Sequence, residues 1–307
     1  MSRVTKPRIF FFDIDNTLLD HRTLTIPPSA LAAIDGLKRA GHTVVIATGR
    51  AHGHARPFID QIRPDYAITQ NGARILHGET EAFSVPLPRQ RLVALFDWMS
   101  ERGHFFGIND DTSGYLSALT PMTTEPLDTV AMPYQSDRPI HLERDIYQGW
   151  LFFDEALDAT LIPALREHFP EFELTRWHRW AVDVQLRAVN KWTGCQWVMA
   201  RTGFTPAQAI AFGDGLNDRQ MLQGVGLGIA MDNGHPDLKA IADRIAPALH
   251  LDGIARMLEE IRDQMSGIRD QHRAAPGSAG VPPALLNQRA GRPRSQEPQN
   301  PPIGFDP

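Results

Sequence analysis

The chain has 307 residues, 42% of them hydrophobic, a formal net charge of −5, a pI near 6.2 and one cysteine, Cys195. That length supports a full core and two folding units; the mild acidity offers no basic field to nucleic acid or to a phospholipid surface; and a lone cysteine excludes an intrachain disulfide and a cysteine-rich metal site and fits a reducing compartment. No apolar run reaches the roughly 18 residues that span a bilayer, and the stretch 1–7 lacks the apolar centre of a secretory signal, so a cytoplasmic protein is expected, its oligomeric state open.

Taken in order, Arg8 to Phe12 is a short apolar run ending at Asp13. Pro28 to Ala40 has helical spacing through Leu31, Ile34 and Leu37 and stops at Gly41; His42 to Ala47 is a second run, ending at Thr48. A helix near Ala51 to Ile62 and a third strand around Tyr66 to Thr69 follow, then the turn-forming pair Asn71-Gly72. Strands alternating with helices predict a parallel sheet covered on both faces. Between Phe83 and Arg187 the pattern changes to a helix (Arg89 to Arg102), short strands (His104 to Ile108, Tyr115 to Ala118, Gly149 to Phe153), a helix (Ala156 to His168) and two more strands (Glu171 to Arg176, Ala181 to Leu186). This predicts an α+β unit inserted into the first. The alternation then resumes with a helix from Lys191 to Arg201, a strand Ala209 to Phe212, a helix near Asp218 to Leu222, a strand Gly226 to Ala230, and helices around Pro236 to Ala242 and Asp252 to Arg262. The expected fold is therefore α/β, a doubly wound parallel-sheet domain over 1–84 and 187–264 interrupted by an α+β unit over 85–186. Residues 265–307 are rich in Pro, Gly, Arg and Gln, a composition that cannot offset the entropy of ordering, and are expected to be a disordered tail.

Ligands of an open parallel sheet sit at the carboxyl ends of its strands, so the polar residues ending each strand are the ones to collect. The first strand ends in Asp13-Ile14-Asp15-Asn16-Thr17, the second in Thr48-Gly49-Arg50, and the strand after the insertion in Gly213-Asp214-Gly215-Leu216-Asn217-Asp218, while Lys191 opens a helix. Asp13 and Asp15, two apart on extended chain, point to the same side. Clustered carboxylates repel at low dielectric, and an oxygen-ligated cation such as Mg²⁺ would relieve them. Lysine, hydroxyl and amide groups beside that cation suit a phosphoryl group, whose spread charge needs positioning and neutralisation. A carboxylate nucleophile gives an acyl phosphate that water can cleave, and a second carboxyl can serve as acid and then base.

DIDNTLL, IATGR, NKWTG and GDGLNDRQML, in this order, resemble the four motifs of the haloacid dehalogenase superfamily of phosphatases. QNGA, AMDNGHPDLKAIAD and LDGIARML, with the insertion between the Thr48 and Lys191 motifs, are similar to its Cof-type branch (subfamily IIB), with a Rossmann-like core and an α+β cap of the second type. The resemblance covers about 8–261 and implies a Mg²⁺-dependent phosphoric monoester hydrolase acting on a small phosphorylated metabolite, a sugar phosphate or a cofactor phosphate. It implies Asp13 as nucleophile, Asp15 as general acid/base, and Asp13, Asp15 (through its main-chain carbonyl) and Asp214 as Mg²⁺ ligands. Thr48, Gly49, Lys191 and Asn217 would bind the phosphate, and Asp218 would support the metal and Lys191 from behind. Asn16 departs from the family's usual glycine, which asparagine can replace because it tolerates left-handed geometry. A phosphomutase or phosphotransferase, and a non-catalytic phosphometabolite-binding regulator, are the rival readings; the second is disfavoured because both Asp13 and Asp15 are present.

Other features have plainer readings. Arg50 is either a substrate contact or helix-start packing. Cys195, one turn after Lys191, reads as a small buried filler. His52 and His54 point apart on a helix and do not make a metal pair. The run Arg176-Trp177-His178-Arg179-Trp180 reads as a hairpin turn whose tryptophans cover the inserted unit's own sheet, ahead of a platform for a base or flavin ring. Met221 and Leu222 are core.

Overall fold

A computed structural model describes residues 6–136 and 140–266; the expectation for the tail falls, from 267 on, outside the described residues. Strand β1 (Ile9–Phe12) is buried along its whole length, and its side chains divide between two cores. Phe10 and Phe12 join the cluster that holds Ile34 of α1 (Pro28–Arg39), Ala55 of α2 (His52–Ile62) and Ile254. Ile9 and Phe11 go to the opposite cluster with Cys195, Val198, Met221 and Leu238. Successive strand residues face opposite ways, so a strand apolar at every position is one covered on both faces.

From β1 the sheet grows outward through β2 (Thr43–Ala47) and β3 (Tyr66–Thr69), all parallel, and is completed on that side by an antiparallel hairpin, β4 (Arg74–His77) and β5 (Thr80–Ser84). The chain then leaves this sheet. Helix α3 (Arg89–Ser100) leads into β6 (Phe105–Asn109), β7 (Gly114–Leu116), α4 (Pro121–Thr129), β8 (Tyr134–Ser136), the short α5 (Ile140–Glu143) and β9 (Gly149–Phe152). Helix α6 (Asp158–His168) and the hairpin of β10 (Phe172–His178) and β11 (Ala181–Leu186) complete a second sheet, of order β10-β11-β9-β6-β7-β8, antiparallel except for β7 with β8. Its helical face buries Phe96, Leu151, Phe153, Leu165 and Phe172 in a separate core.

The chain re-enters the first sheet through α7 (Lys191–Thr202), β12 (Ala209–Gly213), α8 (Arg219–Gly224), β13 (Leu227–Met231), α9 (Pro236–Lys239), β14 (Arg244–Ala246) and α10 (Gly253–Ser266). The full order is β14-β13-β12-β1-β2-β3-β4-β5. This is a Rossmann-like core with an inserted α+β cap. Helix α7 begins where the sequence favours it: the Asn190 side chain accepts from the Thr193 N–H at 3.1 Å, the Thr193 hydroxyl accepts from the Asn190 N–H at 3.1 Å, and Gly203, at φ +78°, ends it.

Several elements differ from expectation. The β4–β5 hairpin was not expected, because Thr80–Ser84 is mostly exposed and polar and carries no apolar alternation. Helix α4 lies in PMTTEPLDT, whose two prolines hide a helix; Pro121 occupies the first turn, and Pro126 is accommodated inside and buried. The short β8, α5 and β14 give no periodic signal. The strand expected over Tyr115 to Ala118 is Gly114–Leu116, and α10 runs four residues past its expected end.

Candidate active site

The chain departs from β1 in both directions, to β2 and β3 on one side and to β12, β13 and β14 on the other. Loops leaving the carboxyl ends therefore diverge at β1 and open a crevice there. Asp13 begins the first of these loops, its N–H donating to the Phe212 carbonyl at 3.1 Å. The loop turns at Asn16, which adopts φ 53°, the left-handed geometry expected of asparagine in a position that suits glycine.

Lys191, at the start of α7, reaches under this loop with its side chain 1% exposed, and its Nζ donates to Asp13 Oδ1 and to Asp218 Oδ1, each at 2.6 Å. Helix α7 stands close to β3: a Cβ on Gly194 would meet Ile68 Cγ2 at 2.6 Å, and a Cβ on Gly72 would meet the Asn190 carbonyl oxygen at 2.3 Å. Burial alone would drive the Lys191 ammonium down, but Asp13 and Asp218 outweigh it and hold it above its ordinary value, so it stays charged. Asp218 uses its second oxygen to accept the Asp214 and Gly215 N–H groups at 3.0 Å each. Gly213 makes this wrap possible, since a Cβ there would fall 2.4 Å from Asp218 Cγ.

Asp13, Asp214 and Asp218 each place a carboxylate oxygen within 4.8 Å of the others. Burial, with Asp218, Asp214 and Asp15 nearby, pushes the Asp13 carboxyl well above the usual range in spite of Lys191. Burial and Asp218 push Asp214 up to about 6. These are carboxylates short of positive charge, and the residues fit a hard divalent cation held by oxygen. Both oxygens of Asp218 are already engaged, one by Lys191 and the other by the Asp214 and Gly215 N–H groups.

The side chain of Asp15 turns elsewhere. Arg50 grips it with a fork, Nε to Oδ2 at 2.8 Å and NH2 to Oδ1 at 2.5 Å, and His21 Nε2 lies 2.8 Å from Oδ1. Burial would raise this carboxyl, but the hydrogen bonds and charge of Arg50, with His21 and Lys191 behind, hold it below the ordinary value. Thr48 is fully buried at the end of β2, and its Oγ1 accepts the Arg50 N–H at 3.1 Å. A Cβ on Gly49 would lie 3.2 Å from Asn71 Oδ1 and 3.5 Å from Asn217 Nδ2, and those two amides bond to each other at 3.0 Å. The bare backbone at Gly49 and the Asn71–Asn217 pair thus meet at the mouth of the crevice.

All the residues that the sequence offered for phosphate and metal binding lie at this one sheet edge. Buried Asp13, Lys191 and Asp218 with half-buried Asp214 form its centre, and Asp15, Thr48, Gly49 and Asn217 lie around it. Four further neighbours went unassigned. Arg50 was left open between two readings; Asn71 sits in the QNGA segment; the Thr17 hydroxyl, two residues from Asp15, donates to Asp214 Oδ1 at 3.2 Å; and His21 has no local signal, being brought to Asp15 only by the turn of the loop. Cys195 is a buried filler, its thiol pushed up by burial. Trp177 covers Leu116, Trp150 and Phe152 of the cap sheet as expected, and it also lines the cleft of about 1160 Å³ that separates cap from core.

The pattern of the haloacid dehalogenase-like hydrolase family matches residues 10–258. YkrA of Bacillus subtilis (strain 168), named as a phosphatase, is 32% identical over 256 residues, spanning 83% of this chain and 97% of that protein. A Streptococcus pyogenes protein named for phosphatase and peptidyl-prolyl cis-trans isomerase activities is 33% identical over 84% of this chain, which spans 55% of that longer protein. YitU of Bacillus subtilis, a 5-amino-6-(5-phospho-D-ribitylamino)uracil phosphatase, is 28% identical over 83% of this chain and 98% of its own length. Among solved structures, a protein of Geobacillus kaustophilus superposes with a TM-score of 0.77 at 31% identity, covering 83% of this chain and 99% of that one. The subclass IIB sugar phosphatase BT4131 superposes with a TM-score of 0.70 at 25% identity over the same shares. No helix among the described residues is long and apolar enough to cross a membrane. The chain belongs to the haloacid dehalogenase-like hydrolases, and within them to the Cof-type phosphatases.

Proposed function

We propose that the chain hydrolyses the phosphate monoester of a small metabolite through an aspartyl phosphate on Asp13. One observation carries this reading: the Asp13 carboxylate is held by a buried Lys191 at 2.6 Å, beside Asp214, at the base of a cleft large enough for a metabolite. An Asp13 oxygen attacks phosphorus and the ester oxygen leaves, taking a proton from Asp15. Water then attacks the acyl phosphate and gives its proton to Asp15, which frees inorganic phosphate and restores Asp13. For either step Asp15 must loosen from the Arg50 fork, and the incoming phosphate dianion is the natural competitor for that guanidinium. Lys191 neutralises charge on the transferring group, while the Gly49 backbone, Thr48 and Asn217 orient it. Mg²⁺, held by Asp13, Asp214 and the Asp15 main-chain carbonyl, would supply further neutralisation of the phosphoryl oxygens.

In this reading 1–84 and 187–264 act as core and 85–186 as the cap that reads the leaving group, in the reducing cytoplasmic setting that a lone buried cysteine suggests. Relatives named for a ribitylaminouracil phosphate and for sugar phosphates support a small phosphorylated metabolite. The test is release of inorganic phosphate from p-nitrophenyl phosphate and a panel of phosphorylated metabolites, with and without Mg²⁺. Release that requires Mg²⁺ and disappears in a folded Asp13→Asn variant is expected. Equal release by that variant would remove the mechanism.

A further inference from the structure

The far wall of the cleft belongs to the cap, and its chemistry differs from that of the core edge. Asp183 of β11 pairs directly with Trp150 of β9, so the two side chains share a face of the sheet. Gln148, two residues before Trp150, falls on the same side, and Asn109 at the end of β6 lies opposite it, its N–H donating to the Gln148 carbonyl at 3.0 Å. All four line the cleft, and Trp177 of β10 joins them.

Asn109 is the informative member. Its side chain is 5% exposed and its Nδ2 donates to Gln148 Oε1 at 3.0 Å, but its Oδ1, equally buried, has no partner. A buried acceptor left unmet is costly, and this one lines an open cleft where a ligand N–H can meet it. The Asp183 carboxylate is a second acceptor on the same face. The lining also has an apolar part: Val130 of the cap and Leu24 of the core are 55% and 71% exposed, yet both line the cleft, with Met132.

We infer that the alcohol part of the substrate is a planar nitrogen-containing aromatic ring bearing N–H donors, seated against Trp177 with its edge toward Asn109 and Asp183. A ring of this kind covers the Trp177 indole and the apolar side chains with its faces and meets both acceptors with its edge. Burial, against hydrogen bonds from Gln148, Trp150 and Trp177, raises the Asp183 carboxyl to about 7, so near neutral pH a further N–H from a ring would draw it into the carboxylate form.

The inference rests on the phosphatase reading for the bond that is cleaved, whereas the ring site can be tested without turnover. Two matched pairs of esters differ only in the ring: flavin mononucleotide against ribitol 5-phosphate, and adenosine 5′-monophosphate against ribose 5-phosphate. In at least one pair the ring-bearing ester should have about tenfold or greater kcat/KM, and Trp177→Ala and the nearly isosteric Asp183→Asn should each lower that ratio by about tenfold, the scale of one ring stack or one charge-assisted hydrogen bond. Calorimetry of riboflavin and adenosine on the metal-free protein should show binding that the same two variants weaken. Equal or better turnover of the ring-free ester in both pairs, or a ratio that neither variant moves, overturns the inference and leaves the phosphatase standing. Ring binding weakened by both variants, with no phosphate released from any ester, supports the ring site and removes the phosphatase reading. Circular dichroism separates loss of fold in Trp177→Ala from loss of binding, and Asp183→Asn carries the test if it does not fold.

Discussion

Lys191 keeps a full charge where water hardly reaches, and what holds it there is the pair of carboxylates at 2.6 Å on either side. Removing one partner of a buried ion pair strands the rest, at about 3–5 kcal/mol. Lys191→Met should therefore lower Tm by about 5–15 °C, and Lys191→Met with Asp218→Asn should recover part of the loss, since one of the two stranded charges is then gone. Thermal unfolding of both variants checks this, and a double variant less stable than the single would contradict the arrangement. Asp183 offers a test in pH. Its carboxyl lies near 7 instead of the ordinary 3.8, so folding favours the protonated form. That contribution is fully present below about pH 4 and is lost as pH rises through about 7. Asparagine stays neutral throughout, so the Tm of Asp183→Asn minus that of the parent should grow between pH 5 and pH 8. A flat difference would show that the carboxyl is not perturbed. At this scale the core site was legible, because Asp13, Asp15, Thr48, Lys191 and Asp214 each stand at the end of a strand or the start of a helix within a dense local motif. Asn109, Asp183 and Trp177 were not legible as one surface, because Asn109 lies more than sixty residues before the hairpin that carries Trp177 and Asp183, and only the register of the cap sheet unites them.

Among the elements, strands buried on both faces and helices with a regular apolar stripe were readable from the chain, since β1, β2 and β12 are nearly continuous apolar runs and α1 keeps its spacing. Elements that rely on neighbours were not. Helix α4 forms across two prolines because Leu127 and Pro126 are buried in the cap, and β14 is three residues at a sheet edge that exists only by pairing with β13. The first turn of α2 makes a contact its sequence hides. Gly53 lies so close to the cap that a Cβ there would meet the Asp111 carbonyl oxygen at 2.2 Å and Thr112 Cγ2 at 3.0 Å. The cap loop after β6 thus rests on the helix that follows the Thr48 motif. Gly53→Val should hold the cap away from the core and reduce kcat/KM for a metabolite ester by about tenfold to a hundredfold through misplacement of the leaving group, with little loss of Tm. Unchanged turnover would show that this contact has no part in closure.

For the molecule as a whole, cap and core are joined by charge as well as by chain. Arg74 of β4 donates to Asp111 of the cap at 2.6 Å and to Glu81 at 2.7 Å, and its guanidinium lies 5.0 Å from the ring centre of Tyr147. Such partly exposed pairs contribute little stability each, which is compatible with the proposed cap parting from the core to admit substrate. In the proposed reading the core supplies the phosphoryl-transfer edge and the cap a separate wall that meets the alcohol, and that reading depends on an Asp13 oxygen being the atom that bonds to phosphorus. The direct measurement is the intact mass of the protein after rapid acid quench with p-nitrophenyl phosphate and Mg²⁺, followed by mapping of the adduct. It is best made in Asp15→Asn, where loss of the acid/base slows hydrolysis of the acyl phosphate, by about 10² to 10⁴, while an aryl leaving group still departs. The account predicts a single phosphate adduct on Asp13 in that variant. An adduct on Asp15 in the parent protein, or steady phosphate release with no adduct on Asp13 in either protein, would contradict it.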